Sequence, residues 1–88
     1  MFYVYVLRSD RDGELYIGST NNLRKRFAEH MAGNAFSTKL RRPFRVIYYE
    51  AYLAEKDARL RESRLKRRGQ ARRQVMERIR NSIALLAS

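Results

Sequence analysis

The sequence predicts an α+β fold in which a small three-stranded sheet is flanked by three helices, in the order β-β-α-β-α-α. Three observations lead there. Two strand-like runs near the start, Phe2 to Arg8 and Glu14 to Gly18, are joined by Ser9 to Gly13, whose Asp12-Gly13 pair is a hairpin signal. A third run rich in β-branched and aromatic residues, Phe44 to Ala51, follows a helix-period segment and a polar loop. The C-terminal third then carries apolar residues at helical spacing. The 88 residues suffice for one small domain, read as spanning residues 1–88.

Every residue from Phe2 to Leu7 is apolar or aromatic, so the first strand should be covered on both faces. A four-residue loop over Ser9 to Asp12 would set Arg8 opposite Gly13 and Tyr5 opposite Tyr16, both rings on one face. A slip of one residue would separate them. Gly18 should end the second strand and let it close against the first helix. That helix is expected from about Asn22 to Met31, capped by Thr20 or Asn21. Leu23, Phe27 and Met31 recur every four residues as its packing face. Arg26 and His30 share the next stripe, about 100° round the axis.

Ala32 to Arg42 reads as a loop, with Gly33-Asn34 stopping the helix. Lys39, Arg41 and Arg42 in its later half suit phosphate contacts, although a solvated surface loop has the same composition. Pro43 opens the third strand, in which Tyr48, Tyr49 and Glu50 read as packing and edge residues. Ala54 to Arg67 forms the second helix, with Glu55 and Asp57 favourably placed in its first turn and a narrow apolar face around Ala58 and Leu65. Gln70 to about Leu86 forms the third, with Val75, Ile79, Ile83 and Leu86 as its buried stripe, joined by Met76.

Twenty Lys and Arg against nine Asp and Glu give a net charge of +11. Eleven basic and four acidic residues fall between Leu53 and Arg80. Such an excess favours a polyanion, and nucleic acid is the usual one. With no cysteine and one histidine, zinc-type ligand spacing is absent. The first apolar run is too short for a signal h-region or a membrane span, so a cytoplasmic protein with no membrane partner is expected. The apolar tail Ile83 to Leu86 closes the core or meets another copy in a weak homo-oligomer.

The segment Tyr16 to His30, YIGSTNNLRKRFAEH, resembles the GIY-YIG endonuclease family. Tyr16-Ile17-Gly18 matches the second signature, and Tyr3-Val4-Tyr5 stands where the first belongs. Tyr3 takes the place of that signature's glycine, where small members commonly vary. Arg26 and His30 fall at the family's spacing. The resemblance covers most of the chain and is strongest with small stand-alone members. The same domain occurs in homing endonucleases and in the incision subunit of bacterial nucleotide-excision repair. For the fold, the resemblance implies a mixed or antiparallel sheet. For activity, it implies metal-dependent hydrolysis of DNA, single-stranded or branched rather than tightly sequence-specific.

The chemistry needs a base to activate water, a cation at the developing charge, an acid or metal to assist the leaving oxygen, and a group to hold the metal. By resemblance, ARLRESRLK looks like the family's third motif, and Glu62 would hold one Mg²⁺ or Mn²⁺ completed by water and phosphate oxygens. On helix composition alone, Glu62 is a surface partner of Lys66. Arg26 would clamp phosphate. Tyr5 and Tyr16 would manage the attacking water, with His30 taking a proton or fixing a phenol. Lys39, Arg41, Arg42, Lys66, Arg67 and Arg68 would guide the strand. A basic DNA- or RNA-binding module without turnover is the competing class.

Overall fold

The computed structural model describes residues 1–86. β1 (Phe2–Ser9) is central, between β2 (Leu15–Thr20) and β3 (Phe44–Tyr52), and both neighbours run antiparallel to it. Its central place accounts for the unbroken apolar run. Val4 and Val6 point to one face and Tyr5 and Leu7 to the other, each 1% exposed or less. α1 (Leu23–Ala32) covers the Tyr5 face. α2 (Glu55–Lys66) and α3 (Gln70–Arg78) cover the Val4 face, where Ala58, Leu65, Val75 and Ile79 complete the core. A single 3₁₀ turn, Lys39–Arg41, precedes β3, and α4 (Arg80–Leu85) follows α3.

The hairpin register differs from the expected one by two residues. Tyr5 lies opposite Gly18, and Tyr16 opposite Leu7. Ser9 is the cause. Its fully buried hydroxyl donates to the Arg41 carbonyl at 2.6 Å and accepts from the N–H groups of Arg11 and Asp12. Ser9 thereby remains in the strand and its N–H bonds the Glu14 carbonyl, so the loop becomes Asp10 to Gly13, with Gly13 at φ 74°. Because side chains alternate with period two, a two-residue shift keeps both phenols on one face. They meet diagonally, ring centroids 6.3 Å apart. Nor does β2 end at Gly18; it continues to Thr20.

A bulge at Ile47 exchanges the faces of β3. Leu7 pairs with Val46 but Val6 with Tyr48. Phe44 and Val46 therefore pack under α1, whereas Tyr48, Glu50 and Tyr52 face α2.

Three helix expectations are corrected. Asn22 caps α1, its side chain accepting the Lys25 N–H, while Thr20 braces the turn by accepting the Asn22 N–H. Met31 is 39% exposed, and His30 is the fully buried residue of that turn. Eight residues rotate a helix about 80° from Leu23, but seven leave it about 20° away, so the contact line runs Leu23, Phe27, His30. The third helix divides at Ile79, whose ψ of 21° breaks the helical path. No proline or glycine marks that break.

α2 has an Ala54 N-cap without a side-chain bond and buries only Ala58 and Leu65. Polar contacts to both outer strands fix its rotation. Arg61 donates to both oxygens of Glu50 at 2.9 and 3.0 Å, and the Tyr48 and Tyr52 hydroxyls donate to the same carboxylate. Burial alone would raise the Glu50 carboxyl, but Arg61 and the two phenols bring it down to about 2. Glu50→Gln should cost on the order of 2 kcal/mol at neutral pH in urea unfolding. The unfolded chain binds its proton first as pH falls, so the parent should lose this advantage between the ordinary carboxylate range and about pH 2. The variant's stability should be flatter across that window.

Candidate active site

The site begins with a missing side chain. Tyr5 stands under α1 and its ring crosses β2 at Gly18. A Cβ there would lie 2.5 Å from the Tyr5 hydroxyl oxygen and 2.6 Å from Cζ. Glycine is therefore needed for close approach, rather than for ending the strand.

Through that gap the Tyr5 hydroxyl reaches His30, 2.9 Å from Nε2. His30 Nδ1 lies 2.7 Å from Thr38 Oγ1. Thr38, also fully buried, has its hydroxyl directed at the Ala35 carbonyl, which can only accept. That contact is 3.4 Å, long for a hydroxyl donor, and the two contacts of the imidazole fit either neutral tautomer. Burial, with the charge of Arg26 as a second cause, depresses the His30 imidazole below its ordinary value and keeps it neutral. Burial likewise pushes the Tyr5 phenol up to about 12, although Arg26 opposes it.

Arg26 projects from α1 beside this pair. Its charge is felt at the Tyr5 phenol, and it forms an ion pair with Glu29 at 3.2 Å. Tyr16 lies edge-on to the imidazole, centroids 5.0 Å apart. Four of the residues singled out from sequence, Tyr5, Tyr16, Arg26 and His30, thus gather under one helix, with Gly18 as their opening.

Glu62 approaches from the other sheet face. Its Oε1 accepts the Ser19 hydroxyl at 2.7 Å, and its Oε2 pairs with Lys66 at 2.9 Å. The side chain is 19% exposed, and its charge is felt at the Tyr5 phenol. β2 is an edge strand, so the two faces meet around it at Gly18 and Ser19. An open hollow of about 460 Å³ next to Glu62 is lined by Arg59, Ser63, Lys66 and Arg67.

The loop cations are more engaged than their composition implies. Arg41 pairs with Asp12 at 3.2 Å and donates to the Leu15 carbonyl, bracing the hairpin. Arg42 donates to the carbonyls of Lys39 and Met31, packing against Gly33 at the end of α1. Lys39 lies over the Phe36 ring. Arg68 lines a separate concavity with Arg72 and Arg73 at the start of α3. Sequence reasoning missed Thr38 and Ser19, the partners of His30 and Glu62. Both stand beside residues it did single out, Lys39 and Gly18, and short hydroxyl residues there were the available signal.

Comparison with known proteins bears on the family and the fold. A family profile described as the GIY-YIG catalytic domain matches residues 1–75. A UPF0213 protein of Bacillus pumilus is 42% identical over 65 residues, covering 73% of this chain and 65% of that protein. One from Streptococcus pneumoniae serotype 4 is 40% identical over 67 residues, 75% of this chain and 67% of its own. The chain thus spans about two thirds of the length of these relatives. The solution structure of a UPF0213 protein from Bacillus halodurans superposes with a TM-score of 0.54 at 28% identity, covering 90% of this chain and 85% of that one.

Gly18→Ala should displace the Tyr5 ring and lower stability by about 1–3 kcal/mol, read by thermal unfolding and by loss of the His30 imidazole shifts in NMR. His30 should also make the fold acid-sensitive. Its folded pKa lies below the unfolded value of about 6.5, so the unfolded chain takes the proton first. Stability is complete above that value and declines as pH drops below it, levelling off under the folded pKa. His30→Asn should abolish this component in urea titrations between pH 7 and 5.

Proposed function

The chain belongs to the GIY-YIG catalytic-domain family, and from that membership we propose a metal-dependent endonuclease that hydrolyses DNA phosphodiester bonds, single-stranded or branched. Residues 1–88 would act as one nuclease domain. A cytoplasmic setting suits the reading; no helix among the described residues is long and apolar enough to cross a membrane. The observation that carries the proposal is the buried chain Tyr5–His30–Thr38, aimed at an edge that also holds Arg26 and Glu62.

Tyr5 alone is a poor base, because its phenol titrates near 12. Paired with His30 it becomes a relay. As water attacks phosphorus and the P–O bond to the departing oxygen breaks, the water's proton passes to the Tyr5 oxygen, the Tyr5 proton passes to His30 Nε2, and the departing oxygen takes a proton from solvent. Thr38 would hold the imidazole in the tautomer whose Nε2 is free to receive it. The imidazolium is transient, since burial and Arg26 disfavour it. Arg26 stabilises charge on the non-bridging oxygens with a fork that cannot deprotonate. Tyr16 orients the water and screens the imidazole.

Glu62 is the residue that would hold a metal. No group of three or more acidic or imidazole side chains gathers among the described residues. One hard carboxylate nevertheless fits Mg²⁺ or Mn²⁺, which takes its remaining ligands from water and phosphate. Both carboxylate oxygens retain a lone pair beyond the contacts made by Ser19 and Lys66. Such an ion would supply Lewis acidity and activate bound water. Lys39, Lys66, Arg67 and Arg68 would draw the strand in, with Arg41 and Arg42 mainly shaping the loop.

The experiment is incubation of purified protein with labelled single-stranded, branched and duplex DNA, with Mg²⁺, Mn²⁺ or chelator. Metal-dependent nicking is expected. Glu62→Ala and Arg26→Ala should each slow it about 100-fold or more while binding persists. Thr38→Val should slow it less and shift the acid limb of the pH–rate profile, because the imidazole tautomer is no longer held. A second reading, a basic binding module without turnover, draws on the Glu62–Lys66 ion pair at 2.9 Å, which would then be structural. Salt-sensitive binding with no nicking on any substrate or metal would establish it.

A further inference from the structure

The proposed mechanism leaves unused a second concavity, between the N-terminal half of α1 and β3, of about 430 Å³. Tyr3, Tyr49, Leu23 and Phe27 form its apolar walls, and Asn21 and Arg24 its rim. Tyr49 is 57% exposed and meets Tyr3 edge-on, centroids 6.1 Å apart. With Tyr3, Leu23 and Phe27 the Tyr49 ring makes a contiguous apolar patch rather than a lone exposed side chain.

Its chemistry indicates the occupant. No acidic residue lines the groove, and the first turn of α1 contains none. Arg24 forms no ion pair among the described residues. An aromatic face beside a free guanidinium and the Asn21 amide matches an unpaired nucleobase with its phosphate: the base stacks, Arg24 takes the phosphate, and the amide reaches a base edge. A peptide helix would want a longer apolar trough, and an acidic peptide would leave the rings uncovered.

Position links the groove to the proposed nuclease site. Tyr49 pairs across the ladder with Tyr5, and Tyr3 with Thr20 at the end of β2. Groove and site therefore share one sheet face, on either side of the start of α1. We propose that this groove stacks an unpaired base of the strand flanking the one cleaved, making single-stranded nucleic acid the favoured ligand. The proposal rests on the nucleic-acid reading above but not on turnover.

The chain contains no tryptophan, so Tyr49→Trp introduces a unique fluorophore at the groove. Leu53→Trp, at a site 86% exposed beyond β3, serves as the control. Each is titrated with decathymidylate and with an abasic strand of equal length, in chelator. Quenching of the Tyr49→Trp protein by decathymidylate, absent with the abasic strand and with the control, is expected. Decauridylate and decadeoxyuridylate arms should also quench, and their relative affinity, at the same base, ranks the two sugars. Tyr49→Ala should weaken decathymidylate binding about five-fold or more, with a smaller effect on the abasic strand and on duplex. Equal quenching by both strands, equal quenching at both positions, or no loss in Tyr49→Ala would overturn the proposal. These readouts are independent of cleavage. Base-dependent quenching without nicking would leave the groove standing and remove the nuclease, whereas nicking without such quenching would do the reverse.

Discussion

A histidine withdrawn entirely from water must find a partner for each ring nitrogen or be strongly destabilising. Here the requirement organises half of the molecule. His30 takes the Tyr5 hydroxyl on one side and the Thr38 hydroxyl on the other. Satisfying the first bond needs the Tyr5 ring to pass over β2, and only a residue without Cβ leaves room. Satisfying the second needs the loop after α1 to return a buried threonine to the helix end. The central strand, the edge strand, the helix and the loop are thus tied at one polar point inside an apolar layer. The same bonds that complete the packing satisfy both ring nitrogens.

The opposite sheet face follows another logic. α2 has few apolar anchors, and two consecutive residues orient it. Arg61 reaches Glu50 on β3, and Glu62 reaches Ser19 on β2. Residues one apart on a helix point about 100° apart, so holding both leaves the helix little freedom to roll. The Glu62 carboxylate is thereby kept at the sheet edge, beside the gap through which Tyr5 is felt. An edge strand with a bare glycine lets side chains from two faces approach one location, which a central strand could not do.

Electrostatics complete the arrangement. The net charge of +11 is spread over exposed arginines, while the polar groups in the interior are paired. Cations near the core hold structural duties: Arg61 to Glu50, Arg41 to Asp12, Arg42 to the end of α1. The remaining cations of α2, such as Arg59, Arg64 and Lys66, stay exposed, where a polyanion can displace their counterions.

Alternation and helical period in the sequence determined the elements, their order and the two-faced burial of β1, because these depend on neighbours within a few residues. The signature spacing likewise determined which phenols, guanidinium, imidazole and carboxylate to examine. Tertiary structure alone decided the hairpin register, the switch of faces at Ile47, the substitution of His30 for Met31 in the packed line, and the break at Ile79. Each depends on where a distant partner sits. Ser9 stays in its strand because of Arg41, and His30 turns inward because Thr38 awaits it. Local pattern cannot express such conditions; a side chain's partner 8, 25 or 32 residues away, as with Thr38, Tyr5 and Arg41, exists only once the chain has closed on itself.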